Sequence, residues 1–191
     1  LLDKALTQKQ HAQQGSWSDE IITRSSEMLQ VLDQAHRIAQ RDVSVLITGA
    51  SGTGKELLAR SLHRLSGRAD KRFMAINCAA IPENLLESEL FGFEKGAFTG
   101  AHRDHKGVFE QAENGTLFLD EVTEMPIDMQ PTLLRVLETG MLRRVGGTED
   151  IPIDCRVISA TNRSRDQLAT EQCLREDIYF RLAVLADECY F

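Results

Sequence analysis

The chain has 191 residues, 42% of them hydrophobic, enough for one buried core with a short appendage at the usual ~100–200 residues per domain. Its formal net charge of -7 excludes a broad polyanion-binding surface, since nucleic-acid binders carry a basic excess or a clustered basic stripe. Cys78, Cys155, Cys173 and Cys189 form no C-x-x-C pair and no run approaches ~20 apolar residues, so zinc-ribbon, disulfide-framework and membrane-spanning readings fall away and a reduced, cytoplasmic protein is expected.

Residues 1–20 are polar and Gln-rich, with too few apolar positions to supply a core, and read as a linker that is helical at most at its start; residues 21–191 read as one α/β domain. From Ile21 the pattern changes. Met28, Leu29, Val31, Leu32, Ala35, Ile38 and Ala39 recur at three- and four-residue spacing, which predicts an amphipathic helix capped by Ser25 or Ser26. A β-rich run, 43–48, ends at Gly49 and is followed by a helix over 56–65. Further short strands are predicted over 72–77, 116–119 and 155–160, separated by helix-compatible stretches. Apolar strands alternating with helices point to a mainly parallel sheet covered on both faces, a three-layer α/β/α arrangement.

Gly49-Ala50-Ser51-Gly52-Thr53-Gly54-Lys55 fits G-x-x-x-x-G-K between a predicted strand and a predicted helix, the context a phosphate-binding loop needs. Its backbone N–H groups and the helix N-terminus suit phosphate oxygens, and Lys55 would reach the β- and γ-phosphates of ATP. Glu56 stands where a magnesium-binding hydroxyl is usual. A glycine-rich turn that binds nothing is the plain alternative.

The run 116–119 closes on Asp120 and Glu121, a Walker B pattern in which Asp120 can hold Mg2+ and Glu121 can orient and polarise the attacking water. Alone, an Asp-Glu pair more often opens a solvated turn. Thr161-Asn162 follows the last predicted strand. His102-x-x-His105 suggests a metal pair, but a solvated loop flank is the stronger reading, because no further ligands cluster nearby in sequence.

Gly96-Ala97-Phe98-Thr99-Gly100-Ala101, within ELFGFEKGAFTGA, resembles the hallmark loop of the AAA+ ATPase domain of sigma-54-dependent transcription activators, the bacterial enhancer-binding proteins. The resemblance runs from about Ile21 to Leu185. It implies a P-loop NTPase fold that binds ATP and Mg2+, a surface loop inserted into a helix that engages sigma-54, and remodelling of the sigma-54 RNA polymerase closed complex into an open one. It accounts for Glu56, because these activators read G-T-G-K-E. It implies that Asn77 is a switch residue pairing with Glu121, that Asn162 is a sensor near the γ-phosphate or the attacking water, and that Arg175 and Arg181 serve a neighbouring subunit's nucleotide in a hexamer or heptamer. Phe93 and Thr123 depart from the family's more common His and Gly.

By the same resemblance a helical lid is expected after residue 185 and a DNA-binding helix-turn-helix module beyond it. The segment 186–191 does not read as either, so DNA contact is assigned to a module outside this sequence and weak hydrolysis is expected of the chain alone. The polar lead resembles the linker after a receiver domain, the response-regulator type. Two other functions stay open at this point: a non-hydrolysing interaction module on the same fold, and an AAA+ remodeller with another target.

Overall fold

The computed structural model describes residue 21, residues 23–183 and residues 186–188; the linker expected over 1–20 and Cys189 lie outside them. Helix α1 spans Ser26–Ala39, with Ser25 as the N-cap whose hydroxyl accepts from the Met28 N–H. Its buried stripe of Met28, Val31, Leu32, Ala35, Ile38 and Ala39 is the three- and four-residue pattern read from sequence, with Leu29 turned outward. Strand β1 (Val45–Thr48) leads through the glycine-rich loop into α2 (Lys55–Arg64), and β2 (Phe73–Asn77) into a short 3-10 turn, Cys78–Ala80. Helices α3 (Glu83–Phe91) and α4 (Val108–Gln111) flank the GAFTGA segment. Next come β3 (Thr116–Asp120), a 3-10 turn at Val122–Glu124 and α5 (Gln130–Thr139). A two-strand ribbon, β4 (Met141–Leu142) with β5 (Ile151–Pro152), precedes β6 (Arg156–Thr161), α6 (Arg165–Glu171), α7 (Glu176–Leu182) and β7 (Ala186–Glu188).

The main sheet has five strands in the order β2-β3-β6-β1-β7, and every pairing is parallel. Because successive side chains point to opposite faces, β1, β2, β3 and β6 each serve two cores. Val45, Ile47, Phe118, Ile158 and Ala160 meet α1 and α2 on one side. Leu46, Ile76, Leu117, Leu119 and Val157 meet α3, α4, α5 and α7 on the other, with Phe91 and Phe109 stacked at 5.7 Å. Burying such a side chain stabilises by roughly 1.5–3 kcal/mol, which explains why nearly continuous apolar strands demand helices on both faces. The three-layer reading therefore holds, with β7 and the β4–β5 ribbon as elements the sequence reading did not place.

Polar side chains fasten the layers where backbone groups would otherwise go unpaired. Arg156, 3% exposed, donates to the Val43, Ala39 and Ile38 carbonyls, closing the end of α1 against the start of β6. Arg68 bridges Asp42 and Asp154 at 2.6 Å each. His63 on α2 meets the Thr116 hydroxyl at 2.9 Å in the interior.

Candidate nucleotide site and loop

Strand β6 lies between β1 and β3, so the C-terminal ends of three neighbouring strands open on one place. β1 delivers the phosphate loop, β3 delivers Asp120 and Glu121, and β6 delivers Thr161 and Asn162 between them. The Gly49 N–H donates to the Thr161 carbonyl at 3.2 Å, which fixes the loop's entry to the middle strand. Ligands of open parallel sheets sit in this position, beyond the carboxyl ends of the strands.

Within the loop, Gly52 and Gly54 have φ of 80° and 79°, a left-handed conformation that side chains disfavour. Lys55 opens α2 and is 7% exposed; its ammonium donates to the Gly49 carbonyl at 2.9 Å and the Ala50 carbonyl at 3.1 Å. It also stands 3.9 Å from a Glu121 carboxylate oxygen. Glu56 turns away: it pairs with Arg60 on the same helix at 2.7 Å, and Arg60 lies over the Phe73 ring. Glu56 thus belongs to the surface of α2 and does not replace the missing hydroxyl.

The two carboxylates are separated by the end of the strand. Asp120 Oδ2 accepts from the Asn77 amide at 3.0 Å and Oδ1 from the Glu121 N–H at 3.1 Å. Glu121 takes φ 50° and ψ 49°, a left-handed turn in a non-glycine residue, and its Oε2 accepts from the Asn162 N–H at 3.0 Å. This corrects one expectation. Asn77 pairs with Asp120, not Glu121, because β2 and β3 are in register at Asn77 and Asp120 while Glu121 has turned toward β6. Asn162 lies beside Glu121, donating its backbone N–H to that carboxylate, and is itself exposed. Asn77 also caps the next turn, its Oδ1 accepting from the Ala79 and Ala80 N–H groups.

Oxygen donors around Asp120 and Glu121 suit a hard cation that keeps most of its water, which is how Mg2+ binds beside phosphates. No group of three or more His, Cys, Asp or Glu residues that could hold a metal occurs among the described residues. Cys78, beneath this pair, is pushed up to about 12 by burial, with Asp120 and Glu121 adding to the shift, so its thiol stays protonated.

The GAFTGA segment is held at its base and open at its tip. Gly92 and Gly107 face each other so closely that a Cβ on either would strike the other's backbone. Above this neck, Phe93 and His105 exchange backbone hydrogen bonds at 3.0 and 2.9 Å and stack at 5.1 Å. His105 therefore belongs to the neck rather than to a solvated flank, while His102 is exposed. Glu94 and Gly92 bond to Val145 in the segment between β4 and β5, and Arg144 of the same segment grips Glu110 of α4 at 2.7 and 2.8 Å. At the tip Gly96 and Gly100 have φ of 87° and 107° with open space around them. Phe98 is 43% exposed and rests on Phe93 at 4.9 Å. The segment joins α3 to α4, as a loop between two helical pieces should.

Arg175 and Arg181 are not brought to this cluster. Arg175 begins α7 and pairs with Asp177, which lowers the carboxyl's pKa and raises the guanidinium's, beside an open cleft of about 820 Å3 lined by Ile127, Tyr179 and Phe180. Arg181 donates to the Leu137 carbonyl near Asp154 and Arg156, at the start of β6. Six strand residues, roughly 20 Å at ~3.3 Å each, separate that start from the phosphate loop. Sequence reasoning missed Gln130: fully buried, it donates to the Met125 and Cys173 carbonyls and accepts from the Arg175 N–H, seating α7 against the turn after β3. Its only sequence signal is a polar residue on the apolar side of α5.

A glycine-rich loop and lysine on one parallel strand, paired carboxylates on a second and a polar strand end between them define a P-loop nucleotide-binding domain of the AAA+ kind. The chain belongs to the sigma-54 interaction domain family, whose model matches residues 21–186. It is 51% identical over 185 residues to the transcriptional regulatory protein GlrR of Escherichia coli, covering 97% of this chain and 42% of that protein. It is also 51% identical over 167 residues to the Nif-specific regulatory protein of Azospirillum brasilense, covering 87% and 27%. The chain thus spans less than half the length of these relatives. Among solved structures, NtrX from Brucella abortus in complex with ATP superposes with a TM-score of 0.79 at 38% identity, over 88% of this chain and 36% of that one. NtrX in complex with ADP gives 0.79 at 35% identity over 98% and 41%. The P-loop NTPase domain of a sigma-54 activator from E. coli, at 20% identity and a TM-score of 0.60, shares the fold.

Proposed function

We propose that this domain binds ATP with Mg2+, hydrolyses it to ADP and phosphate, and uses the cycle to work the GAFTGA loop against sigma-54, converting the closed polymerase complex to the open one. The observation that carries the reading is the pairing of an intact phosphate loop and carboxylate pair with an open, half-exposed Phe98 tip on one domain. Lys55 and the loop N–H groups would receive the phosphates; Asp120 would hold the Mg2+, which neutralises charge on the phosphate oxygens. Glu121 would orient water for in-line attack on the γ-phosphorus and draw off its proton as the β–γ bridging bond breaks. Asn77 offers a relay, because one side chain touches Asp120 and caps the turn leading to α3 and the loop. Arg175 and Arg181 would act on a neighbouring copy in a ring of six or seven, in the cytoplasm, with DNA contact left to another module.

Two variants test this in the longest product of the reading frame that carries the chain. Lys55→Ala is expected to lose ATP-dependent open-complex formation and phosphate release. Phe98→Ala is expected to keep phosphate release and lose sigma-54 capture in the presence of a transition-state analogue. Full activity in Lys55→Ala overturns the loop assignment, and unchanged capture by Phe98→Ala favours another target.

A further inference from the structure

The hydroxyls of Thr123 and Thr161 stand 2.9 Å apart, and the two residues are 5% and 0% exposed. Thr123 is the middle residue of the 3-10 turn that follows Glu121, and Thr161 ends β6. Thr161 Oγ1 also accepts from the Arg163 N–H at 3.1 Å, so the strand end and the turn are joined through one oxygen. Two residues before Thr123, Glu121 sends its carboxylate to the N–H of Asn162, the residue after Thr161. The two contacts close a ring through residues 121–123 and 161–162.

A left-handed non-glycine residue costs of order 1–3 kcal/mol and persists where its surroundings over-determine it. The surroundings of Glu121 supply its own N–H bond to Asp120, the Glu124 N–H bond to the Glu121 carbonyl and the carboxylate bond to Asn162. All of these are local to the turn or arise from the carboxylate itself. Two links tie the turn to the end of β6 independently of that carboxylate: the exposed Glu124–Arg163 pair at 3.2 Å and, in the interior, the Thr123 hydroxyl on the strand residue itself.

We infer that Thr123 is a positioning residue: its hydroxyl, clipped to Thr161, holds the turn so that Glu121 faces the water-attack position between Lys55 and Asn162. The inference rests on the hydrolytic reading above. It concerns the chemical step and leaves phosphate binding to the loop, which meets Thr161 at the backbone carbonyl and not at the clipped hydroxyl.

The test compares Thr123→Val, which keeps the shape and removes the hydroxyl, with Thr123→Ser, in the longest product of the reading frame. Expected is a kcat for ATP hydrolysis that falls roughly ten- to a hundredfold in Thr123→Val, with KM and the Kd for a fluorescent ATP analogue unchanged, and that returns most of the way in Thr123→Ser. In a Glu121→Gln background, Thr123→Val should lower kcat no further, because the group it positions is already gone. Wild-type kcat in Thr123→Val, an additive loss in the double variant, or KM and kcat worsening together overturns the inference. Should Thr123→Val not fold, Thr123→Ala is read by the same kcat and KM split. Full hydrolysis by Glu121→Gln alone marks a failure of the hydrolytic reading instead.

Discussion

His63 shows how one side chain can set a pH limit on the fold. It is 6% exposed, its ring tilts against Phe73, and burial lowers its pKa, with Arg156, Arg64 and Arg60 adding to the effect. The folded state resists a proton that the unfolded chain takes up near pH 6.5, so the unfolded state binds more protons as pH falls. His63 therefore contributes stability that is full above about 6.5 and is lost as pH falls through the lower, folded value. Thermal melts between about pH 8 and about pH 5 should show a drop in Tm that is shallower in His63→Asn. Equal slopes would place the acid sensitivity elsewhere.

At the scale of elements, the loop's behaviour is set by its neck. A Cβ at Gly107 meets the Gly92 nitrogen and the Leu90 carbonyl, backbone atoms that cannot rotate aside. Gly107→Ala should therefore cost roughly 1–3 kcal/mol in urea unfolding, by overpacking. Gly96→Ala, in open space but at φ 87°, should cost only about 1 kcal/mol for its left-handed backbone. Equal costs would mean that the neck yields. Gly96 and Gly100 were visible in sequence as part of the GAFTGA loop; that Gly92 and Gly107 touch was not, because the contact depends on how α3 and α4 are docked. β1, β2, β3 and β6 were legible to within a residue or two, since each is a mostly apolar run of high strand propensity. β4, β5 and β7 are two or three residues long, too short for a period to register. Thr123 was visible only as a residue standing where related chains carry glycine, and its partner lies 38 positions away. The carboxylates and the lysine were legible as chemistry, while Asn77's choice of Asp120 required the strand register.

At the scale of the whole molecule, the proposed function would divide the phosphate chemistry between two places. In the proposed assembly each copy offers a site and lends arginines to another, so specific hydrolysis should rise with protein concentration and level off as assembly completes. Mixing gives the sharper check. Lys55→Ala and Arg181→Ala copies, each inactive alone, should recover part of the activity together, because a copy with an intact loop can meet one with an intact arginine. No recovery at any ratio would assign Arg181 to its own chain or to structure.

Arg181 sits by the start of β6 while the phosphate loop sits beyond its end. A surface that lends and a surface that receives are then different patches of one body. A two-fold dimer joins a patch to itself and would leave each arginine without a phosphate. Copies joined head to tail repeat the same rotation at every step, and such a chain ends only by meeting its own beginning or by continuing as a spiral. With Arg181 in its proposed role, the placement of that one side chain within a single domain would favour a closed circle or a helix over a pair.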